Sequence, residues 1–261
     1  MSGDSRNTTH HDAWFPGRLI GGVSLVVGPV AWLSGLLLRH LVLRTGALTP
    51  EQLAAFAEEP FAAPSQLAAY VGEPALVTAA YAAFFAGTIL LWPAIVTLAQ
   101  IIAARSPRLA YWGGTLFVLG LFGRAYHAGV DQTAFQLTHV LGLEQATSAV
   151  SETYVAISYG PWFVPVTASA CQYLGTVLLV IAAYRSATFG VGRCLVFLWA
   201  GVMWGGVLKA SHLYDVVRAG LLCLVLVPLG VAVLRDRVPV LRTRLLSAAY
   251  AGPGRPRLLG W

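Results

Sequence analysis

The residues able to do chemistry in this chain are few and fall into three short groups: Arg124, His127 and Asp131; Lys209, His212 and Asp215; and the adjacent pair Arg39 and His40. Each group lies within or at the end of an apolar run, where a charge costs a few kcal/mol even on lenient insertion scales. Residues kept at that cost ordinarily face a protein interior or water, so a functional cavity is the first expectation. The spacing i, i+3, i+7 puts Arg124, His127 and Asp131 on one helical face. The spacing i, i+3, i+6 lets the second group drift only slightly round its own helix. Lys209 is also the only lysine in the chain.

Two carboxylates beside two imidazoles can divide acid and base roles, because burial and neighbouring charge separate the proton affinities of like groups. Asp131, Asp215, His127 and His212 are therefore the candidate catalytic residues. Arg124, Lys209, Arg39 and His40 are candidates for binding substrate, together with Tyr126, Trp162, Trp204 and Tyr214. Phe135, Phe163 and Trp199 lie near the same level, and aromatic faces stabilise cationic character in a ligand. An acid, an aromatic lining and access from lipid are what an enzyme needs to protonate an isoprenoid chain and shelter the carbocation. Integral membrane terpene cyclases have those requirements, a likeness of chemistry that no shared motif carries. The leading expectation is thus acid-base catalysis on a lipophilic, isoprenoid-like small molecule, with no cofactor.

The same residues support other chemistry. His127 and His212 are expected at one depth and could sandwich a b-type haem, or join Asp131 in a zinc site open to water. Arg39, Arg124 and Lys209 form a cationic ring that would suit a small transporter, an immunity protein or a lipid-binding protein recognising an anionic ligand such as a lipid phosphate. The plainest reading is that Arg and Lys snorkel from the outer third of a bilayer while His and Asp finish helices.

The elements that must hold these residues follow from composition. Of 261 residues, 57% are hydrophobic and 11% charged, against roughly 25% charged in a soluble domain. Runs such as 19–43 are apolar on every face, as lipid requires of a helix whose backbone satisfies itself. The expected fold is all-α: a polytopic helical bundle with about six membrane spans near 19–43, 74–104, 109–131, 161–184, 194–214 and 219–235. The first run lacks a small-x-small cleavage pattern and is expected to stay as the first helix.

Arginine alternates with acid from one connection to the next, from Glu51, Glu58, Glu59 and Glu73 to Arg105 and Arg108, then Glu144 and Glu152, then Arg185 and Arg193. By the positive-inside rule both termini and the arginine-bearing turns face the cytoplasm of a multi-pass cell-membrane protein. Domain organisation is then a tail at 1–18, a bundle over 19–235 and a basic tail over 236–261. The net charge of +6 comes largely from that tail, and it fits anionic lipid and not nucleic acid, because no nucleic-acid module accompanies it. Arg124 and Lys209 lie ~24 Å along their helices from Arg108 and Arg193, so the three groups share one depth in the outer half.

Two outer connections carry structure of their own. Thr49-Pro50-Glu51-Gln52 is a capping box with proline at the first helical position, predicting a short helix to about Pro60. A second piece over 142–158 has a loosely apolar side at Leu143, Ala146, Val150 and Val155. Cys171, Cys194 and Cys223 have no metal-site or redox spacing and read as small hydrophobes. Oligomeric state leaves no mark in the sequence.

Overall fold

A computed structural model describes residues 15–44, 48–163, 167–203 and 206–238. The described residues are helical, with no strand. In chain order the helices are α1 (Arg18–Val42), α2 (Pro50–Ala57), α3 (Ala63–Gly72), α4 (Pro74–Ile102), α5 (Pro107–Leu141), α6 (Leu143–Glu152), α7 (Tyr154–Tyr159), α8 (Cys171–Arg185), α9 (Val191–Gly201) and α10 (Leu213–Leu234). Three of them, α1, α4 and α10, are long and apolar enough to cross a membrane, which makes this chain compatible with a membrane protein. The basic tail beyond 238, the residues before 15 and Trp204 lie outside the described residues.

Close helix contact is made where glycine removes a side chain. A Cβ at Gly35 would meet the backbone of Phe84, and one at Gly87 the backbone of Trp32, so α1 and α4 pack antiparallel at near backbone contact. Gly113 and Gly175 do the same for α5 and α8. Along the other flank of α1, Gly22 faces Leu234 and Gly230 faces Leu25, placing α10 antiparallel to α1. One large apolar cluster joins these rods, with Trp32, Leu91, Ile95, Phe117, Leu179 and Phe197 almost wholly enclosed.

The two ends of the bundle differ. At one end Arg18 pairs with Asp236 at 3.8 Å, and Arg105 donates to the Ser186 carbonyl at 3.3 Å. This end gathers both ends of the described bundle and the two arginine-bearing turns. The other end is roofed by α3 and α6, which pack with α4 and α5 into a second apolar cluster around Leu67, Tyr70, Tyr81, Phe135 and Val150.

Several boundaries differ from the sequence expectation. The capping box at Thr49 and Gln52 forms in both directions, at 3.2 and 2.9 Å, and α2 follows as expected. The chain past Pro60 is not plain connection, however, since α3 begins at Ala63 and is mostly buried. In the second outer piece Ala146 and Val150 are fully buried but Val155 is 65% exposed, because the helix breaks at Thr153 and turns Val155 outward. The expected span 109–131 belongs to a longer helix, since α5 runs for 35 residues, ~52 Å, and passes well beyond a bilayer's hydrocarbon. In the expected span 161–184 Phe163 and Thr167 are helical, 3-10 turns cover Gly160–Trp162 and Ala168–Ala170, and a longer α-helix runs over Cys171–Arg185.

The largest correction concerns 194–214. Helix α9 stops at Gly201, and α10 starts at Leu213, six residues before the expected span, so Lys209 and His212 lie in a non-helical connection and Asp215 on the first turn of α10. Gly201 and Gly206 are the local reason, each costing about 1 kcal/mol relative to alanine within a helix. The remainder of the reason is that side chains from every neighbouring element bind the freed backbone.

Candidate functional site

An unwound segment among apolar helices is tolerable only when protein or trapped water satisfies its polar backbone. Here the side chains converge from all sides. Gln172 Nε2 donates to the Gly201 carbonyl at 2.9 Å, and Arg218 to that of Val202 at 3.0 Å. Arg124 and Tyr173 both donate to the Met203 carbonyl, and the Tyr154 hydroxyl to that of Val207 at 2.7 Å. Arg39 donates to the Lys209 carbonyl, and His40 Nδ1 lies 2.9 Å from that of Ser211.

Asp131 supplies the complementary acceptor. Its Oδ1 takes the Leu208 N–H at 2.6 Å, at a residue whose φ of 46° is left-handed and unusual for leucine. At the far end Asp215 accepts from the His212 N–H at 3.1 Å, capping α10, and lies 3.5 Å from Lys209 Nζ. Much of the polar cluster is therefore a clamp on the broken helix.

Inside the clamp is a cavity of about 30 Å³, lined by Arg39, Arg124, His127, Asp131, Lys209 and Asp215. That is room for about two waters. Arg39, Arg124, His127, Asp131 and Asp215 are between 2% and 7% exposed, so their interactions are made away from bulk solvent. The guanidinium of Arg39 lies 4.2 Å from the centre of the Tyr81 ring, and that of Arg124 lies 5.1 Å from the centre of the Trp32 ring. Arg124 Nε also donates to Gln172 Oε1 at 2.7 Å.

The hydrogen bonds and ring contacts of these two arginines are to neutral oxygens and aromatic faces, with Asp131 and Asp215 lining the same cavity. Among the described residues neither has a carboxylate within ion-pairing distance, whereas Lys209 does. Several buried polar atoms in this region make no hydrogen bond among the described residues, among them Arg39 Nε, His127 Nδ1, Trp32 Nε1, the Tyr81 hydroxyl and Asp215 Oδ1.

The structure brings Arg124, His127, Asp131, Lys209, Asp215 and Arg39 to one cavity and leaves others outside it. His212 is exposed at the start of α10, so His127 and His212 do not face one another across a haem plane. His40 sits at the outer rim of the break beside Arg44 and His212. His139, further along α5, lies 3.0 Å from the Tyr70 hydroxyl. No group of three or more His, Cys, Asp or Glu is placed to hold a metal among the described residues.

The expected aromatic lining is also rearranged. Trp162, Trp199 and Tyr214 are 59%, 46% and 48% exposed, and Tyr126 is half-buried beside His127. Phe163 is likewise exposed, and Phe135 is buried against Tyr70 and Tyr81. Of the expected rings Tyr214 does meet a cation of the site, with Lys209 Nζ 6.0 Å from its centre, and Trp32, Tyr81 and Phe84 join it from α1 and α4, whose apolar patterning gave no sign of them. Gln172 was equally silent, although a buried amide in an apolar run is a signal of the same kind as a buried charge.

No protein-family model, curated protein or solved structure matches the chain.

Proposed function

We propose that this chain is a six-span protein of the cell membrane, with both termini in the cytoplasm, whose broken fifth span forms a buried receptor for a small anionic group. The observation that carries this reading is the pair Arg39 and Arg124, two guanidiniums enclosed in one cavity without a carboxylate partner among the described residues. Truly buried charge is costly unless a counter-charge meets it. With Lys209, three cations face two carboxylates, leaving the wall net positive when His127 is neutral. Discontinuous helices with binding groups at the break are a recurrent way to hold a ligand within a membrane. The alternation of arginine and acid supports the orientation, as does the collection of both bundle ends and both arginine turns at one end.

Acid-base catalysis on an isoprenoid inside this cavity is less well supported. A space of about 30 Å³ cannot admit such a chain, and Asp131 and Asp215 are engaged with Leu208 and with Lys209 and His212.

Inorganic phosphate added to the purified full chain in phosphate-free detergent should raise its unfolding midpoint, while chloride at matched ionic strength should not. At a hundred times the dissociation constant the stabilisation is about 2.7 kcal/mol. Arg39→Gln together with Arg124→Gln should abolish the difference between the two salts. Equal midpoints in phosphate and chloride for the parent chain would sink the proposal.

A further inference from the structure

The polar cavity has an apolar neighbour ten times its size. Between α4 and α5 lies a groove of about 310 Å³, lined by Thr78, Tyr81, Phe85, Ala125, Gly129 and Gln132. Ala128 lines both spaces, and Tyr81, which walls the groove, carries Arg39 on its ring at 4.2 Å. Further along the same two helices a second apolar pocket of about 390 Å³ runs past Trp92, Val96, Tyr111 and Phe122.

On α5 the lining positions of the two pockets form one stripe, from Tyr111 through Thr115, Val118, Phe122 and Ala125 to Gln132. From Tyr111 to Gln132 the helix rises ~32 Å, close to the ~30 Å of a bilayer's hydrocarbon. Phe85, Trp92, Tyr111 and Phe122 leave 39% to 59% of their surface open along it.

Resting on the anion-receptor reading, we infer that the anionic group is the phosphate of a membrane lipid, held at Arg39 and Arg124 while its hydrocarbon chain lies in the seam between α4 and α5. The sizes decide how such a molecule divides: about 30 Å³ takes part of a headgroup and no chain, whereas about 310 Å³ of apolar groove takes a chain and offers no counter-charge to a phosphate. Charge decides the headgroup, since a sugar would bring no anion to a wall in which three cations face two carboxylates, whereas a phosphate brings one. Tyr81 lines the groove and His127 the cavity, and the Tyr81 hydroxyl and His127 Nδ1, both buried without a partner among the described residues, are suited to phosphate oxygens.

The test uses the full chain in phosphate-free detergent with three probes: dioleoyl phosphatidic acid, dioleoylglycerol and inorganic phosphate. Tryptophan fluorescence reports binding, and light scattering reports mass. Phosphatidic acid is expected to bind at least about tenfold more tightly than dioleoylglycerol, a difference of ~1.4 kcal/mol. Gly129→Trp fills the groove at a position where a Cβ meets nothing within 4 Å. It should weaken phosphatidic acid at least about tenfold and leave inorganic phosphate within about twofold of the parent. Ala82→Trp, exposed on the opposite wall, closes the same groove should Gly129→Trp fail to fold.

Unchanged phosphatidic acid binding in a folded groove variant overturns the inference, as does equal binding of the two lipids. A fall in mass on filling the groove would assign the seam to a second copy of the chain and overturn it too. Phosphate binding without lipid preference would defeat the lipid inference and spare the receptor. Failure of every probe would defeat both.

Discussion

At Asp131 a carboxylate that reads in the sequence as a catalytic acid proves to hold a backbone turn. Its bond to the Leu208 N–H fixes a left-handed leucine at the break, so removing the oxygen leaves a buried donor unsatisfied. Asp131→Ala should lower stability by about 1–3 kcal/mol, roughly 2–4 °C of unfolding midpoint per kcal/mol. Asp131→Asn keeps an oxygen at that position and should lose less than half as much. Equal losses in thermal unfolding would show that charge and not the bond to Leu208 is what the site requires. Arg124, His127 and Asp131 were legible because an ionisable residue in an apolar run is conspicuous, and their common face follows from spacing alone. Trp32, Tyr81 and Gln172 were not, because an aromatic or an amide in such a run is compatible with plain packing. His212 was misplaced for a different reason: its neighbours on a helical wheel are not its neighbours in an extended segment.

Among the elements, the helix break was hidden by the very feature that revealed the spans. Hydropathy summed along 194–214 stays high whether or not the backbone is helical, while Gly201 and Gly206, together with the histidine and aspartate that cap α10, were the local evidence against a continuous helix. The Thr49 capping box was readable because a cap is a contact within four residues. Helix α3 was not, since its first residue follows a connection without a side-chain cap and its stability comes from burial against α4, α5 and α6. Glycine packing sets the rods that flank the site, and it makes a contrast that can be measured. Gly87→Val would drive a side chain into the Trp32 backbone and should cost ~1–3 kcal/mol by overpacking. Gly220→Ala in α10, where a Cβ meets nothing within 4 Å, should be neutral or slightly stabilising. Similar midpoints for the two variants would mean that α1 and α4 do not approach as closely as described.

For the whole molecule, orientation determines which side of a membrane the cavity serves. The proposed orientation puts the arginine-bearing turns inside, and the structure gathers those turns at the end opposite the roof formed by α3 and α6. The cavity, next to that roof, then opens in the outer half, where the phosphate of an outer-leaflet lipid would approach it from the side. Glu58 and Arg105 are exposed at opposite ends of the described bundle and make this testable. With Cys171, Cys194 and Cys223 replaced by alanine, Glu58→Cys should react with a membrane-impermeant maleimide in intact cells. Arg105→Cys should react only after permeabilisation. Labelling of both in intact cells would refute the six-span arrangement, since residues on one side are separated by an even number of crossings and this arrangement puts a single one, α4, between them. The reverse pattern would keep the bundle but turn it over, moving the cationic cavity to the inner leaflet, where anionic lipids give a surface potential of about −30 mV. The two arginines would then compete for an abundant class of headgroup instead of meeting a scarce one, so the labelling result also determines which leaflet should supply the ligand.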